Sequence, residues 1–146
     1  MIFLKIVKVF SFIVFALFIL SSCVAKENAL LDSEENITQP KNFSFKTEHS
    51  EYSNDLKTIS YLITNTCDRE IVFTTEAFDL QYKTDDGWKV VAFKEDMAFY
   101  ELCTVLKPNE SSKEEIQLDK YYNLPLLSGE YRIIKDSYAS NIFKVN

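Results

Sequence analysis

The side chains able to do chemistry are few. His49 is the single histidine, and it stands in a polar stretch with neither cysteine nor paired acids at ligand spacing, so it reads as a surface residue. Cys23, Cys67 and Cys103 each stand alone, whereas a zinc site needs several His or Cys ligands. The 22 acidic residues raise the question of calcium. Yet Asp85-Asp86-Gly87 lacks the alternating oxygens and distal Glu of an EF-hand loop, and it reads as a hairpin turn. There is no Gly-rich phosphate loop, no Gly-x-Ser-x-Gly elbow and no Ser-x-x-Lys pair. The expectation is therefore no catalytic residue, no metal and no cofactor. A formal charge of −6 argues against nucleic acid as a partner.

One thiol stands in a context that gives it a role. Lys5 and Lys8 precede an uninterrupted apolar run from Val9 to Leu20, the charged and hydrophobic regions of an export signal. The run is short for a membrane span, although counting back through Ile2 to Val7 lengthens it, so an uncleaved anchor is the competing reading. The segment that closes the run, Leu20-Ser21-Ser22-Cys23, resembles the lipobox of bacterial lipoproteins. The resemblance implies removal of residues 1–22 and attachment of diacylglycerol to the Cys23 thiol. It also implies lipid anchoring at the extracytoplasmic face of the cell membrane. Removal takes away Lys5 and Lys8 and no acid, moving the charge from −6 to −8. Residues 23–41 have no sustained apolar period and read as a disordered, solvated tether, with a root-mean-square reach of about 20 to 25 Å.

The elements that position everything else lie in residues 42–146, and their periodicity is two. Ile59, Tyr61 and Ile63 alternate with Ser60 and Leu62 up to the turn-prone Asn65, and Ile71–Thr75 is a second strand. Phe78, Leu80 and Tyr82 alternate with Asp79, Gln81 and Lys83, and Asp85-Asp86-Gly87 then turns the chain into Trp88–Val91, the strongest hairpin signal. Ala98–Leu106 is ambiguous and reads as a strand closed by Lys107–Glu110. Lys113–Leu118 reads as an edge strand, with Glu114 sharing the Ile116 face. Asp119–Asn123 reads as one helical turn, and Tyr131–Lys135 and Asn141–Val145 as the last strands. About seven or eight short strands at this spacing indicate an all-β sandwich.

Three runs bear on the family. Leu80-Gln81-Tyr82-Lys83 through Gly87-Trp88, then Leu106-Lys107-Pro108-Asn109-Glu110-Ser111, then Leu127-Ser128-Gly129-Glu130-Tyr131-Arg132-Ile133 resemble the bacterial immunoglobulin-like domains of small lipoproteins. The resemblance spans roughly residues 56–135, and its order and spacing weigh more than any single run. Asn109 stands where the family often has Gly. The resemblance implies an immunoglobulin-like β-sandwich at the cell envelope and names no catalytic or binding residue.

Individual residues carry four further expectations. Trp88 is expected in the core rather than as an exposed anchor. One of Tyr121 and Tyr122 is expected outside. Tyr131 suits a tyrosine corner, its hydroxyl bonding upstream backbone. Cys67 and Cys103, the thiols left once Cys23 is acylated, are expected to form a disulfide in an oxidising compartment, worth about 3 to 4 kcal/mol; the alternative is two buried free cysteines.

Together these readings describe a non-enzymatic, lipid-anchored module that meets the membrane through its N-terminal lipid and presents a surface to an unknown protein partner. Two alternatives stand beside it. One is a proteinase inhibitor with an immunoglobulin-like fold, using Lys94–Tyr100 as its exposed loop. The other is an accessory subunit of an envelope complex.

Overall fold

A computed structural model describes residues 30–32, 37–95, 98–100 and 102–146. The apolar segment of residues 1–22 and Cys23 lie outside the described residues. Strand β4 (Thr58–Asn65) buries Ile59, Tyr61, Ile63 and Asn65 and exposes Thr58 and Leu62, the pleat alternation its sequence encodes. It is the middle strand of a three-stranded antiparallel sheet, between β2 (Phe43–Thr47) and β9 (Ser111–Gln117).

The larger sheet has the order β1 (Leu30–Asp32), β7 (Gly87–Val91), β6 (Asp79–Thr84), β10 (Gly129–Lys135), β12 (Phe143–Val145) and β3 (Glu51–Tyr52), with β11 (Tyr138–Ala139) paired to β10. β5 (Ile71–Thr74) and β8 (Cys103–Leu106) form a separate two-stranded ribbon. A single turn of helix, α1 (Leu118–Tyr121), follows β9. The two inner faces meet in one core, to which Leu80, Tyr131, Ile133 and Phe143 come from the larger sheet and Phe45, Ile59, Ile63 and Ile116 from the smaller. At one end Phe78 is ringed by Phe93, Phe99, Tyr121 and Tyr122, with centroids 5.2 to 6.3 Å away. Such contacts are worth about 0.5 to 1.5 kcal/mol each beyond simple burial.

The turns explain the scarce special residues. In the β6–β7 hairpin Thr84 pairs with Gly87, so Asp85 and Asp86 form the loop. Neither Asp has positive φ; Gly87, at φ +120°, takes the left-handed geometry instead. Asn109 adopts φ 63°, a conformation in which Asn is among the few residues that substitute readily for Gly. Its turn is closed by Lys107 N–H donating to Glu110 Oε2 at 2.8 Å. Gly129 is required by close approach, because a Cβ there would collide with the Tyr82 ring.

The all-β sandwich stands, and twelve strands are seen among the described residues where seven or eight were expected. Two readings need correction. Among the described residues of Ala98–Leu106, only Cys103–Leu106 is strand, because Phe99 turns inward onto Phe78, Phe93 and Tyr121. Residues 23–41 are not a free tether throughout. Leu30–Asp32 pairs antiparallel with Val91–Lys89. Thr38 N–H donates to Ser137 O at 3.0 Å, and Ala139 N–H donates to Thr38 O at the same distance. The cause lies in the backbone: without β1, β7 would present an open row of N–H and C=O groups, and pairing satisfies them whatever the side-chain pattern.

Candidate interaction surface

Tyr131, at the start of β10, buries its ring against Tyr82 and Phe143 and donates from Oη to Leu127 O at 2.8 Å. That is the tyrosine corner its position after Ser128-Gly129 implied. The neighbouring pair divides as expected. Tyr122 is buried and its Oη accepts from Leu80 N–H at 3.1 Å, while Tyr121 is half-exposed. His49 lies at the surface beside Tyr52.

Trp88 is not in the core. The alternation that turns Val91 inward turns Trp88 to the outer face of the larger sheet, where it is half-buried opposite Lys83. The Arg132 guanidinium sits 4.3 Å from its ring centroid and the Lys83 ammonium 6.0 Å away, two cation–π contacts on the sheet surface. Arg132 Nε also donates to Gln81 Oε1 at 2.8 Å, covering that otherwise buried amide.

The expected bridge between Cys67 and Cys103 is not formed: both are free thiols. Register explains it. Asn65 Nδ2 donates to Arg69 O at 2.7 Å and to Leu106 O at 2.9 Å, while Asn65 Oδ1 accepts from the Cys67 N–H and thiol. Cys67 is thereby held at the Leu106 end of the β5–β8 ribbon. Cys103 lies three residues away at the other end, opposite Thr74. Three residues of strand span about 10 Å, beyond the 7 Å a disulfide tolerates between Cα atoms. Asn65, fully buried, is thus the organiser of the turn that contains Cys67. Its sequence signal is only that of a strand-ending residue.

The ribbon presents the apolar surface. Val72 and Val105 are direct cross-strand partners on its outer side, 64% and 50% exposed. Leu102 and Tyr100, 54% and 77% exposed, lie in the chain leading to β8. Within that chain Phe99 packs in the aromatic cluster, and upstream of it Lys94 Nζ donates to Asp119 O at 2.6 Å. Ile71, Phe73 and Leu106, on the inner side, anchor the ribbon to the core.

A family model, the bacterial Ig-like domain, matches residues 39–144. This chain belongs to that family. The match encloses the hairpin, the Pro108 turn and the tyrosine corner of this bacterial Ig-like domain, and it starts close to Thr38. No curated protein matches the chain. Among solved structures it is similar to a β-glucosidase from Erythrobacter marinus (16% identity, 70% of this chain, 15% of that chain, TM-score 0.41). It is also similar to a β-glucosidase from Listeria innocua in complex with glucose (18% identity, 71% and 16%, TM-score 0.39). A third likeness is to an alkylpurine DNA glycosylase from Pseudomonas fluorescens bound to DNA (9% identity, 72% and 30%, TM-score 0.38). The Ig-like chain thus spans 15% to 30% of the length of these three proteins.

Proposed function

We propose that this Ig-like domain is a non-enzymatic interaction module, lipid-anchored through Cys23 at the extracytoplasmic face of the cell membrane, that binds an envelope protein through the outer side of the β5–β8 ribbon. The observation that carries the proposal is the paired exposure of Val72 and Val105, with Leu102 and Tyr100 exposed in the chain leading to β8. Apolar residues gathered on one face of a small domain are the usual core of a protein-binding patch, and an exposed Tyr is a common anchor within it. The anchoring rests on Leu20-Ser21-Ser22-Cys23 directly after the apolar run.

Two measurements test the reading. A photo-crosslinking residue at Val105 should give a discrete adduct in living cells, lost on Val72→Lys, while the same residue at Leu62 on β4 gives none. Equal labelling from both positions would remove the ribbon from the proposal. Palmitate incorporation should be abolished by Cys23→Ala; unchanged incorporation would remove the lipid. The proteinase-inhibitor reading draws on the same segment, since Tyr100 is exposed next to Phe99, which packs in the aromatic cluster. Absence of inhibition at micromolar concentration across a proteinase panel ends it.

A further inference from the structure

A second surface feature lies away from the ribbon's outer side, where β9, the edge strand of the smaller sheet, faces the chain between β5 and β6. A cleft of about 390 Å³ opens there, with Tyr61, Phe78, Glu76, Glu114, Lys120 and Tyr121 among its walls. Its volume is at the lower end of the range for small-ligand sites. Glu114 is directly opposite Tyr61 in the β4–β9 register and shares its inward face.

The decisive observation is the Tyr61 hydroxyl. Tyr61 is 2% exposed, yet its hydroxyl makes no hydrogen bond among the described residues, in contrast to Tyr122 and Tyr131, whose hydroxyls bond backbone. A buried polar group left unmatched is costly, and native chains retain few of them. Burial first, then the Glu114 and Asp136 carboxylates, raise the phenol's titration and keep it protonated. It therefore offers one donor and one acceptor. The other polar groups of the cleft differ in what remains open. Lys135, outside the walls, lies 5.9 Å from the Tyr61 ring centroid, and its ammonium donates to Thr75 O and Ala77 O, both at 2.8 Å. Lys120 is drawn over the Tyr121 ring at 5.0 Å. Glu114 Oε1 accepts from Ser112 Oγ at 2.7 Å, and no described side chain donates to its second oxygen. The walls thus hold three carboxylates, Glu76, Glu114 and Glu115, against the single ammonium of Lys120, and the open acceptors are the Glu114 oxygen, the Glu76 carboxylate and the Tyr61 oxygen, with the Lys120 ammonium and the Gln117 amide as donors. The Phe78 and Tyr121 rings beside them stand 5.2 Å apart.

Acceptors in surplus next to aromatic faces select a donor-rich cation on an apolar stem, through charge-assisted hydrogen bonds and cation–π attraction. We propose that this cleft is a binding site for an organic cation, an ammonium or guanidinium on a short aliphatic chain, with Glu114 and the Tyr61 hydroxyl as the groups that hold its head. The source is either a free amine or a Lys or Arg side chain of another polypeptide; the chemistry is the same. The site is independent of the β5–β8 surface and of the Cys23 lipid.

The test is calorimetric titration of the full chain with 1,5-diaminopentane in one arm and a capped, unstructured lysine-containing peptide in the other. Saturable binding of the diamine assigns a free amine; binding of the peptide alone assigns a partner's side chain. Glu114→Gln should weaken whichever probe binds by about tenfold or more, as should Tyr61→Phe, since each removes a bond to a charged group. Tyr61→Phe should do so with no loss of thermal stability, because it deletes a hydroxyl that the fold does not bond. Lys120→Ala should leave binding unchanged or tighten it. No saturable binding of either probe at millimolar concentration, or binding that survives both Glu114→Gln and Tyr61→Phe, would overturn the proposal.

Discussion

The two ends of β10 bury polar atoms in opposite ways. At its start, Tyr131 donates to Leu127 O and Gly129 lets the Tyr82 ring approach the backbone closely, so that shape and hydrogen bonding are both satisfied. At its far end, the Lys135 ammonium is buried under two carbonyls, with no carboxylate among the described residues within ion-pair distance, and the nearby Tyr61 hydroxyl is unbonded. The first end fixes the position of the chain between sheets. The second keeps polar capacity that packing does not consume, which is what distinguishes a site from a scaffold. The same fold thus holds both, and position along one strand separates them.

Four measurements sharpen or break that contrast. Asn65 belongs to the satisfied class, and Asn65→Ala strands the Leu106 and Arg69 carbonyls and the Cys67 amide together; urea unfolding should show a loss of about 3 kcal/mol. A loss under about 1 kcal/mol would mean the turn holds itself. Lys135 comes next. Burial pulls its titration down to about 8 from its ordinary 10.5, so between those values the unfolded chain binds more protons than the folded one, and stability rises with pH. From pH 7 to 9.5 the protein should gain about 2 kcal/mol relative to Lys135→Met, and parallel pH profiles would show the ammonium to be well solvated. Tyr131→Phe should cost about 1 kcal/mol by loss of the corner hydrogen bond. Tyr61→Phe should be smallest of all, neutral or slightly stabilising, and a cost equal to that of Tyr131→Phe would erase the difference between the two ends.

The alternating strands are legible in the sequence because burial on one face imposes a period of two, and Ile59-Ser60-Tyr61-Leu62-Ile63 wears it openly. So is the hairpin, since only Gly87 relieves its turn without strain. β2 is hidden although Phe43, Phe45 and Thr47 alternate, because Lys46 and the polar residues around His49 dominate the local composition. β1 cannot be read, for three residues are too few to show a period, and what the structure shows of it is its backbone pairing with β7. A rule about residue type misplaces Trp88, whereas the parity of its own strand, counted back from Val91, already turns it outward. Compartment and count speak for a thiol pair, and only the β5–β8 register reveals that the two cysteines sit at opposite ends of a ribbon. The cleft has one sequence trace, Glu114 on the same face as Ile116, a carboxylate aimed inward on an edge strand.

The pairing of β1 with β7 sets a leash length. With the lipid on Cys23, as proposed, Leu30 lies seven residue steps from the membrane attachment, which caps the domain's height at about 25 Å. If the three-residue strand lets go, the next fixed point is Thr38, fifteen residues from Cys23, and the ceiling rises to about 50 Å. Release also bares the edge of β7, so a partner that adds its own strand there would hold the domain at the higher setting. On the proposed anchoring the short strand would be a catch: engaged, it would keep the module crouched at the bilayer, and displaced by a visitor, it would let the module stand.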